Sequence, residues 1–212
     1  MVLIKNSLKY IIPFIIYISI SPLLGIFIEE PMYAAYIIKT ILVTAALIYY
    51  WKKYKEIKFK FDLHAILAGL LIFIIWVGID SLYPHLGEPS AFNPFIFEGF
   101  QAAVILIIRL FGAIMIAPII EELFVRSFLI RYIISENFEK VKIGAYTLSS
   151  FIITVLFFGF SHNRWLAGIF TGIILNLLLY KKKELSSCII AHAVANALLA
   201  IFVLSTGNWG FW

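Results

Sequence analysis

QAAVILIIRLFGAIMIAPIIEELFVRSFLIRYII, residues 101–134, is the longest apolar run in the chain. As one helix its 34 residues would extend roughly 51 Å at 1.5 Å per residue, whereas the hydrocarbon core of a bilayer is about 30 Å thick. Pro118 lies inside the run and removes one helical hydrogen bond, which usually kinks a helix. We therefore expect a transmembrane helix that overhangs, tilts, or breaks at Pro118 into two helices or a span and a re-entrant piece.

The rest of the chain is equally apolar. Of its 212 residues, 63% are hydrophobic and only 14% are charged, whereas soluble domains are roughly a quarter charged. This composition predicts a single integral membrane domain over residues 1–212. The net charge of +5 comes from lysines in short loops rather than on one soluble face, so we expect no nucleic-acid partner. Because Cys188 is the only cysteine, no intrachain disulfide can form.

Apolar runs separated by charged or turn residues predict seven helices: Leu8–Ile28, Met32–Trp51, Leu63–Ile79, Gln101–Ile134, Gly144–Phe160, Trp165–Tyr180 and Leu185–Leu204. The predicted fold class is all-α, a polytopic transmembrane bundle of about seven spans (six to eight). Three amino-terminal spans occupy residues 8–79, and residues 101–204 carry the remaining spans.

The basic residues predict an orientation. One side of the predicted bundle carries Lys5, Lys9, the loop at 52–60, Arg131, Lys140, Lys142 and the lysines at 181–183. The other side carries Glu29, Glu30, Asp80, Glu88 and Glu98, with Arg164 as its only basic residue. By the positive-inside rule, we expect seven crossings of the cell membrane, with the amino terminus in the cytoplasm and the carboxyl terminus outside.

Ionisable residues within membrane spans are costly and usually mark function. The candidates here are Lys39, Arg109, Glu121, Glu122, Arg126, His162 and His192, with Asn196 as a polar companion. Lys39 and Arg109 have no evident sequence partner, and either snorkelling towards the interface or a contact that the sequence does not show would explain them.

Two of the acids in the longest run are adjacent, and they should have different partners. Glu122 and Arg126 have the i, i+4 spacing of a helical ion pair, with the acid first. Glu121 points about 100 degrees away on the helix, so it must face something else. A double ion-pair network that only holds helices together remains the alternative.

Two later motifs add polar groups. His162 follows Phe158 by one turn near the end of a span, and His192 and Asn196 share one helix face. Interfacial exposure of His162 and interhelical hydrogen bonding by His192 and Asn196 are the alternatives. Together, however, a carboxylate, two imidazoles and an amide suffice for hydrolysis, because they supply a base for water and donors for an oxyanion.

These motifs resemble a known family. EELFVR at 121–126, FGFSH at 158–162 and HAVAN at 192–196 match, in order, the patterns of the CPBP intramembrane proteases, which include CAAX proteases and bacteriocin-processing enzymes. The resemblance covers about residues 113–200. Val125 and Ser127 depart from it, because the family often has Phe and Gly there. The segments WVGID and NPF further resemble a subgroup associated with exosortase-type sorting systems.

The resemblance implies an active site inside the membrane, with residues 101–204 as the catalytic core that carries the motifs, and it implies a mechanism. Glu121 would activate water with help from His162, His192 and Asn196 would position water or stabilise the oxyanion, and Glu122 and Arg126 would support the site. The implied substrate is a prenylated or membrane-anchored protein or peptide, cleaved near its end as by a type II CAAX prenyl endopeptidase. No cofactor is implied. Zinc remains an alternative, since two histidines and a glutamate can bind it, although the HExxH spacing is absent.

A rival class is a proton- or ion-coupled transporter, or a non-catalytic scaffold, using the same buried groups. Convergence of the four catalytic candidates within a few ångströms would favour the protease. Counting helical rise from the cytoplasmic loops places His192, Glu121 and His162 at roughly 13, 20 and 27 Å depth, so we expect kinks or dipping loops to bring them together.

Overall fold

The computed structural model describes residues 2–28, 32–87 and 91–212. Seven helices dominate it, and the described part contains no strand, which confirms the predicted all-α fold. They are α1 (Val2–Gly25), α2 (Met32–Tyr50), α3 (Leu63–Gly78), α4 (Gly99–Ile134), α5 (Leu148–Phe160), α6 (Trp165–Lys182) and α7 (Leu185–Thr206).

Five of these helices are long and apolar enough to cross a membrane, whereas α3 and α5 have only 16 and 13 residues. The seven crossings and the orientation therefore stay predictions. Glu29, Glu30 and Glu88, which were assigned to the outer side, lie outside the described residues.

Helix α4 continues through Pro118, so the break considered above does not occur. Two π-helical segments, Gly112–Ile116 and Leu123–Leu129, instead flank the α-helical turns Ala117–Glu122. Such wider turns change which side chains face a neighbouring helix and are frequent at functional sites. The segment between them carries both Glu121 and Glu122.

Helix α5 begins four residues later than predicted. Gly144 has a left-handed φ of +78°, and residues 142–147 form a turn rather than a helical start. The helix is then capped by Thr147, whose hydroxyl accepts a hydrogen bond from the Ser150 backbone while the Ser150 hydroxyl accepts one from the Thr147 backbone. This reciprocal capping satisfies two otherwise unpaired amides.

Small residues let the helices approach one another closely. A Cβ on Gly168 of α6 would lie 3.0 Å from the Cα of Gly159 in α5, and one on Gly69 of α3 would lie 2.5 Å from the Ala191 carbonyl oxygen in α7. Backbone contact of this kind is typical of helix packing in membranes. It brings α5 against α6 and α3 against α7.

A buried polar network ties the loop after α2 to α4. Tyr10 and Ser127 both donate hydrogen bonds to Glu56 Oε1, at 2.5 and 2.6 Å. The Arg131 guanidinium donates to the Ser127 hydroxyl at 2.8 Å and lies 3.9 Å from Glu56. Ser127, at a position where the sequence departs from the pattern described above, therefore hydrogen-bonds to both Glu56 and Arg131.

At the other end of the bundle, Asp80 contacts Arg164 and His85. Arg164 Nε donates to Asp80 Oδ1 at 2.5 Å, and His85 Nε2 lies 3.0 Å from the same oxygen. The Trp165 indole donates to the Pro84 carbonyl at 3.0 Å. These contacts fix the loop after α3 against the turn that carries His162.

Candidate active site

Glu122 is the centre of a buried ion cluster. Arg126 Nη1 lies 3.1 Å from Glu122 Oε1, and both side chains are fully buried, which confirms the predicted i, i+4 pair. His192 Nδ1 lies 2.9 Å from the same carboxylate oxygen. A carboxylate can only accept, so Nδ1 carries the proton and Nε2 is the nitrogen left for other contacts. No sequence spacing indicated this contact between α4 and α7.

Glu121 points away from that cluster, as its position on the helix predicted. Its carboxylate is almost fully buried, and its Oε2 lies 3.9 Å from His162 Nε2. This distance is too long for a direct hydrogen bond. Among the described residues, Oε2 has no hydrogen-bond partner.

The His162 ring is held in one orientation. Its Nδ1 lies 2.7 Å from the Phe158 carbonyl oxygen, which can only accept, so Nδ1 is the donor and Nε2 of the neutral ring is an acceptor. Trp76 packs edge-on against the ring at 5.6 Å and Phe158 lies at 4.8 Å. The acceptor nitrogen therefore faces the Glu121 carboxylate.

The depth estimate for His162 counted helical rise from Gly144, whereas α5 begins at Leu148 and ends at Phe160, before His162. The turn after α5 carries His162 to within 3.9 Å of Glu121 Oε2. The two side chains therefore lie close together, as the motif grouping predicted.

Phe158 separates the two halves of the site. The Arg126 guanidinium lies 4.3 Å above its ring, and the His192 ring lies edge-on at 5.8 Å. The ring face shields the charge of Arg126 from the cavity while offering it a cation–π contact.

Asn196 lies one turn beyond His192 on α7. Its Nδ2 donates to the Ala113 carbonyl oxygen in α4 at 2.7 Å. One N–H and the side-chain carbonyl oxygen remain for other partners. The interhelical hydrogen bond that was considered as an alternative is therefore present, and it leaves a free donor.

The four candidate residues share one cavity of about 180 Å³. Glu121, His162, His192 and Asn196 all line it, so the structure brings together every predicted catalytic residue. Further lining residues that sequence reasoning did not assign to the site include Tyr17, Tyr36, Trp76, Thr171, Phe211 and Trp212. Arg109 also lines this cavity.

The two remaining candidate cations, Lys39 and Arg109, are half-buried and contact aromatic rings. Lys39 Nζ lies 4.5 Å from the centre of the Tyr17 ring and 5.0 Å from that of Tyr36. Arg109 is likewise surrounded by rings. These contacts with aromatic rings are of the kind considered above as partners that the sequence does not show.

The residues present do not fit a metal centre. Within the described parts of the chain, no group of three or more His, Cys, Asp or Glu side chains is arranged to hold an ion. His192 uses Nδ1 for Glu122, and Glu122 is itself paired with Arg126. A catalytic zinc site needs three protein ligands around one point, and the described side chains do not supply them.

Comparison with known proteins supports the motif grouping. Residues 103–198 match the family described as Type II CAAX prenyl endopeptidase Rce1-like. The matched range covers most of α4, all of α5 and α6, and most of α7, and it contains Glu121, Glu122, Arg126, His162, His192 and Asn196. No curated protein and no solved structure matches the chain.

Proposed function

We propose that the chain, whose residues 103–198 match the Type II CAAX prenyl endopeptidase Rce1-like family, is an intramembrane endopeptidase that uses a Glu121-activated water. The observation that carries this proposal is the 3.9 Å separation between Glu121 Oε2 and His162 Nε2, two acceptors that face each other in a cavity. One water whose oxygen lies about 2.8 Å from each atom would donate a hydrogen bond to both. The angle between the two acceptors, measured at the water oxygen, would be about 90 degrees. The lone pairs of the water would then be free to attack.

The reaction follows from these positions. The water oxygen bonds to the scissile carbonyl carbon as Glu121 takes a proton, and the carbonyl oxygen becomes an oxyanion. The free N–H of Asn196 donates to that oxyanion, and so does Nε2 of His192 when its ring is protonated. The C–N bond then breaks, and the proton held by Glu121 passes to the leaving amine. The products are a new carboxylate and a new amine.

Glu122 and Arg126 act behind the reacting groups. The Glu122 carboxylate fixes the Nδ1 proton of His192 and so directs Nε2 towards the cavity. Arg126 balances the charge of Glu122 from the other side. Both are positioning residues, because neither lines the cavity.

The proposed substrate is a lipidated or membrane-anchored polypeptide. The cavity of about 180 Å³ holds a few side chains rather than a folded domain, so the scissile bond must lie in an extended segment. The family match supports a position near a chain end. Access through a membrane-embedded site favours a substrate already held in the bilayer.

The test is cleavage of a prenylated carboxyl-terminal peptide by purified protein in liposomes, with the products identified by mass. We expect the wild type to cleave it and Glu121→Gln to lose at least about 100-fold in rate while staying folded. Glu98→Gln, at an exposed position at the start of α4, is the matched control and should retain the wild-type rate. Normal turnover by the Glu121→Gln protein would contradict the mechanism. Glu121-dependent proton flux without cleavage would favour the transporter.

A further inference from the structure

Basic side chains gather at one end of the bundle, in a second cavity of about 460 Å³. This basic cavity lies between the start of α1, the loop after α2 and the end of α4, and no described residue lines both it and the catalytic cavity. Five cations and two acids give it a formal excess of three positive charges. They are Lys9, Lys52, Lys53, Lys55 and Arg131, with Glu56 and Glu139.

Both acids of the basic cavity already have partners within the protein. The Glu56 carboxylate accepts two hydrogen bonds, and Glu139 Oε2 accepts one from Asn6 Nδ2 at 2.6 Å. Three lysines of the loop, by contrast, lie beyond ion-pair distance of every carboxylate in the described parts of the chain: Lys52, Lys53 and Lys55. The excess of positive charge is therefore left for an anion to balance.

The loop that carries these lysines is fixed against α1. Tyr54 is buried, and its hydroxyl donates to the Lys9 carbonyl oxygen at 2.5 Å. Lys9 Nζ in turn donates to the Lys53 carbonyl oxygen at 3.1 Å. Arg131 is itself 7% exposed and is held by the Ser127 hydroxyl at 2.8 Å. The backbone of the loop and the guanidinium are thus in place before an anion binds, which lowers the cost of ordering them on binding.

The basic cavity lies at the level of the lipid head groups. One candidate membrane span begins at Asn6, a second ends at Lys53, and α4 ends at Ile134, one turn beyond Arg131. Residues at the ends of three spans therefore surround the cavity. Basic pockets between spans at this level bind phosphorylated lipid head groups.

An apolar groove beside the basic cavity favours a lipid over a soluble anion. The groove has a volume of about 910 Å³, lies between α1, α4 and α5, and is lined mainly by Ile, Leu and Phe side chains. Phe138 of the groove packs edge-on against Tyr10 of the basic cavity, with ring centres 5.8 Å apart. Acyl chains attached to a phosphate in the basic cavity would therefore have apolar surface next to them.

We propose that the basic cavity binds the phosphate head group of an anionic phospholipid, whose acyl chains pack against the neighbouring groove. Ammonium and guanidinium groups both bind phosphate through charge-assisted hydrogen bonds. The predicted orientation places this face in the cytoplasm, and anionic lipids give the cytoplasmic leaflet its negative surface potential. The bound lipid links the loop after α2 to the ends of α1 and α4.

Two lipids with the same acyl chains and different head-group charge test the proposal. Purified protein in a neutral detergent is titrated with dioleoyl-phosphatidylglycerol or dioleoyl-phosphatidylcholine, and bound lipid is counted by native mass spectrometry. We expect the wild type to bind the anionic lipid with a Kd at least about tenfold lower. Lys52→Gln/Lys55→Gln should raise the Kd for phosphatidylglycerol at least about fivefold and leave that for phosphatidylcholine unchanged.

Lys58→Gln/Lys60→Gln is the matched control, because it removes the same charge from exposed positions of the same loop outside the basic cavity. This variant should keep the wild-type Kd for phosphatidylglycerol. Equal losses in the two double variants would show a general attraction of the loop for anions and would overturn the proposal.

Two further results would also overturn it, and neither requires a variant. One is equal binding of the two lipids by the wild type. The other is binding of glycerol 3-phosphate as tightly as phosphatidylglycerol, which would assign the basic cavity to a soluble phosphate ester. Because the assay measures lipid binding and involves no peptide cleavage, its result is independent of the proposed function.

Discussion

Replacing Glu122 with Gln should destabilise the protein more than replacing Arg126 with Met, although each change removes one partner of the same ion pair. In Glu122→Gln the Arg126 charge stays fully buried, and no other carboxylate of the described residues pairs with it. Leaving a buried charge uncompensated costs about 3–5 kcal/mol. In Arg126→Met, Glu122 keeps the His192 contact at 2.9 Å. A hydrogen bond to a charged group contributes about 1.5–3 kcal/mol, so we expect this variant to lose roughly 2 kcal/mol less.

A variant that combines both substitutions gives a second test of this prediction. Removing Arg126 as well takes away the unpaired charge, so Glu122→Gln/Arg126→Met should be more stable than Glu122→Gln alone. The free energy of unfolding can be measured by denaturing-detergent titration in mixed micelles, followed by circular dichroism. Glu98→Gln should change it by less than about 0.5 kcal/mol. The reasoning is refuted if Arg126→Met is the costlier single change, or if the costs of the two single changes simply add.

Three further predictions concern an ionised carboxylate, a close contact between two helices, and a metal. Burial opposes ionisation of Asp62, but hydrogen bonds from Ser187 and Lys182 outweigh it and lower the Asp62 pKa. The contribution of ionised Asp62 to the free energy of unfolding is therefore complete above its unfolded pKa of about 4 and is lost as the pH falls through its lower folded pKa. We therefore expect the difference in unfolding free energy between wild type and Asp62→Asn to shrink on acidification. Gly69→Ala should cost about 1–3 kcal/mol by pushing α3 from α7, whereas Gly78→Ala, with open space around it, should be neutral in the same unfolding titration. Chelator treatment should leave the cleavage rate unchanged, and loss of activity that zinc restores would show that a metal takes part.

Local helix geometry explains what could be predicted from the sequence. The Glu122–Arg126 pair and the divergence of Glu121 follow from 3.6 residues per turn, and the structure confirms both. The shared face of His192 and Asn196 has the same origin, and both line the cavity. Within one helix, spacing alone determines which side chains are neighbours.

Contacts between distant segments could not be predicted in this way. The hydrogen bond of His192 with Glu122 joins residues 70 positions apart, and its existence depends on how α7 packs against α4. The rings around Arg109 come from α2, a loop and the segment after α7. The π-helical turns of α4 also depend on packing, because Pro118 alone indicated only a kink.

In the proposed mechanism a water held by Glu121, rather than Glu121 itself, attacks the peptide bond. A single turnover in oxygen-18 water, with excess enzyme over prenylated peptide, distinguishes the two by mass spectrometry of both product and protein. We expect one oxygen-18 atom in the new carboxylate of the first-turnover product and none in Glu121. Oxygen-18 in the Glu121 side chain, with an unlabelled product, would contradict it.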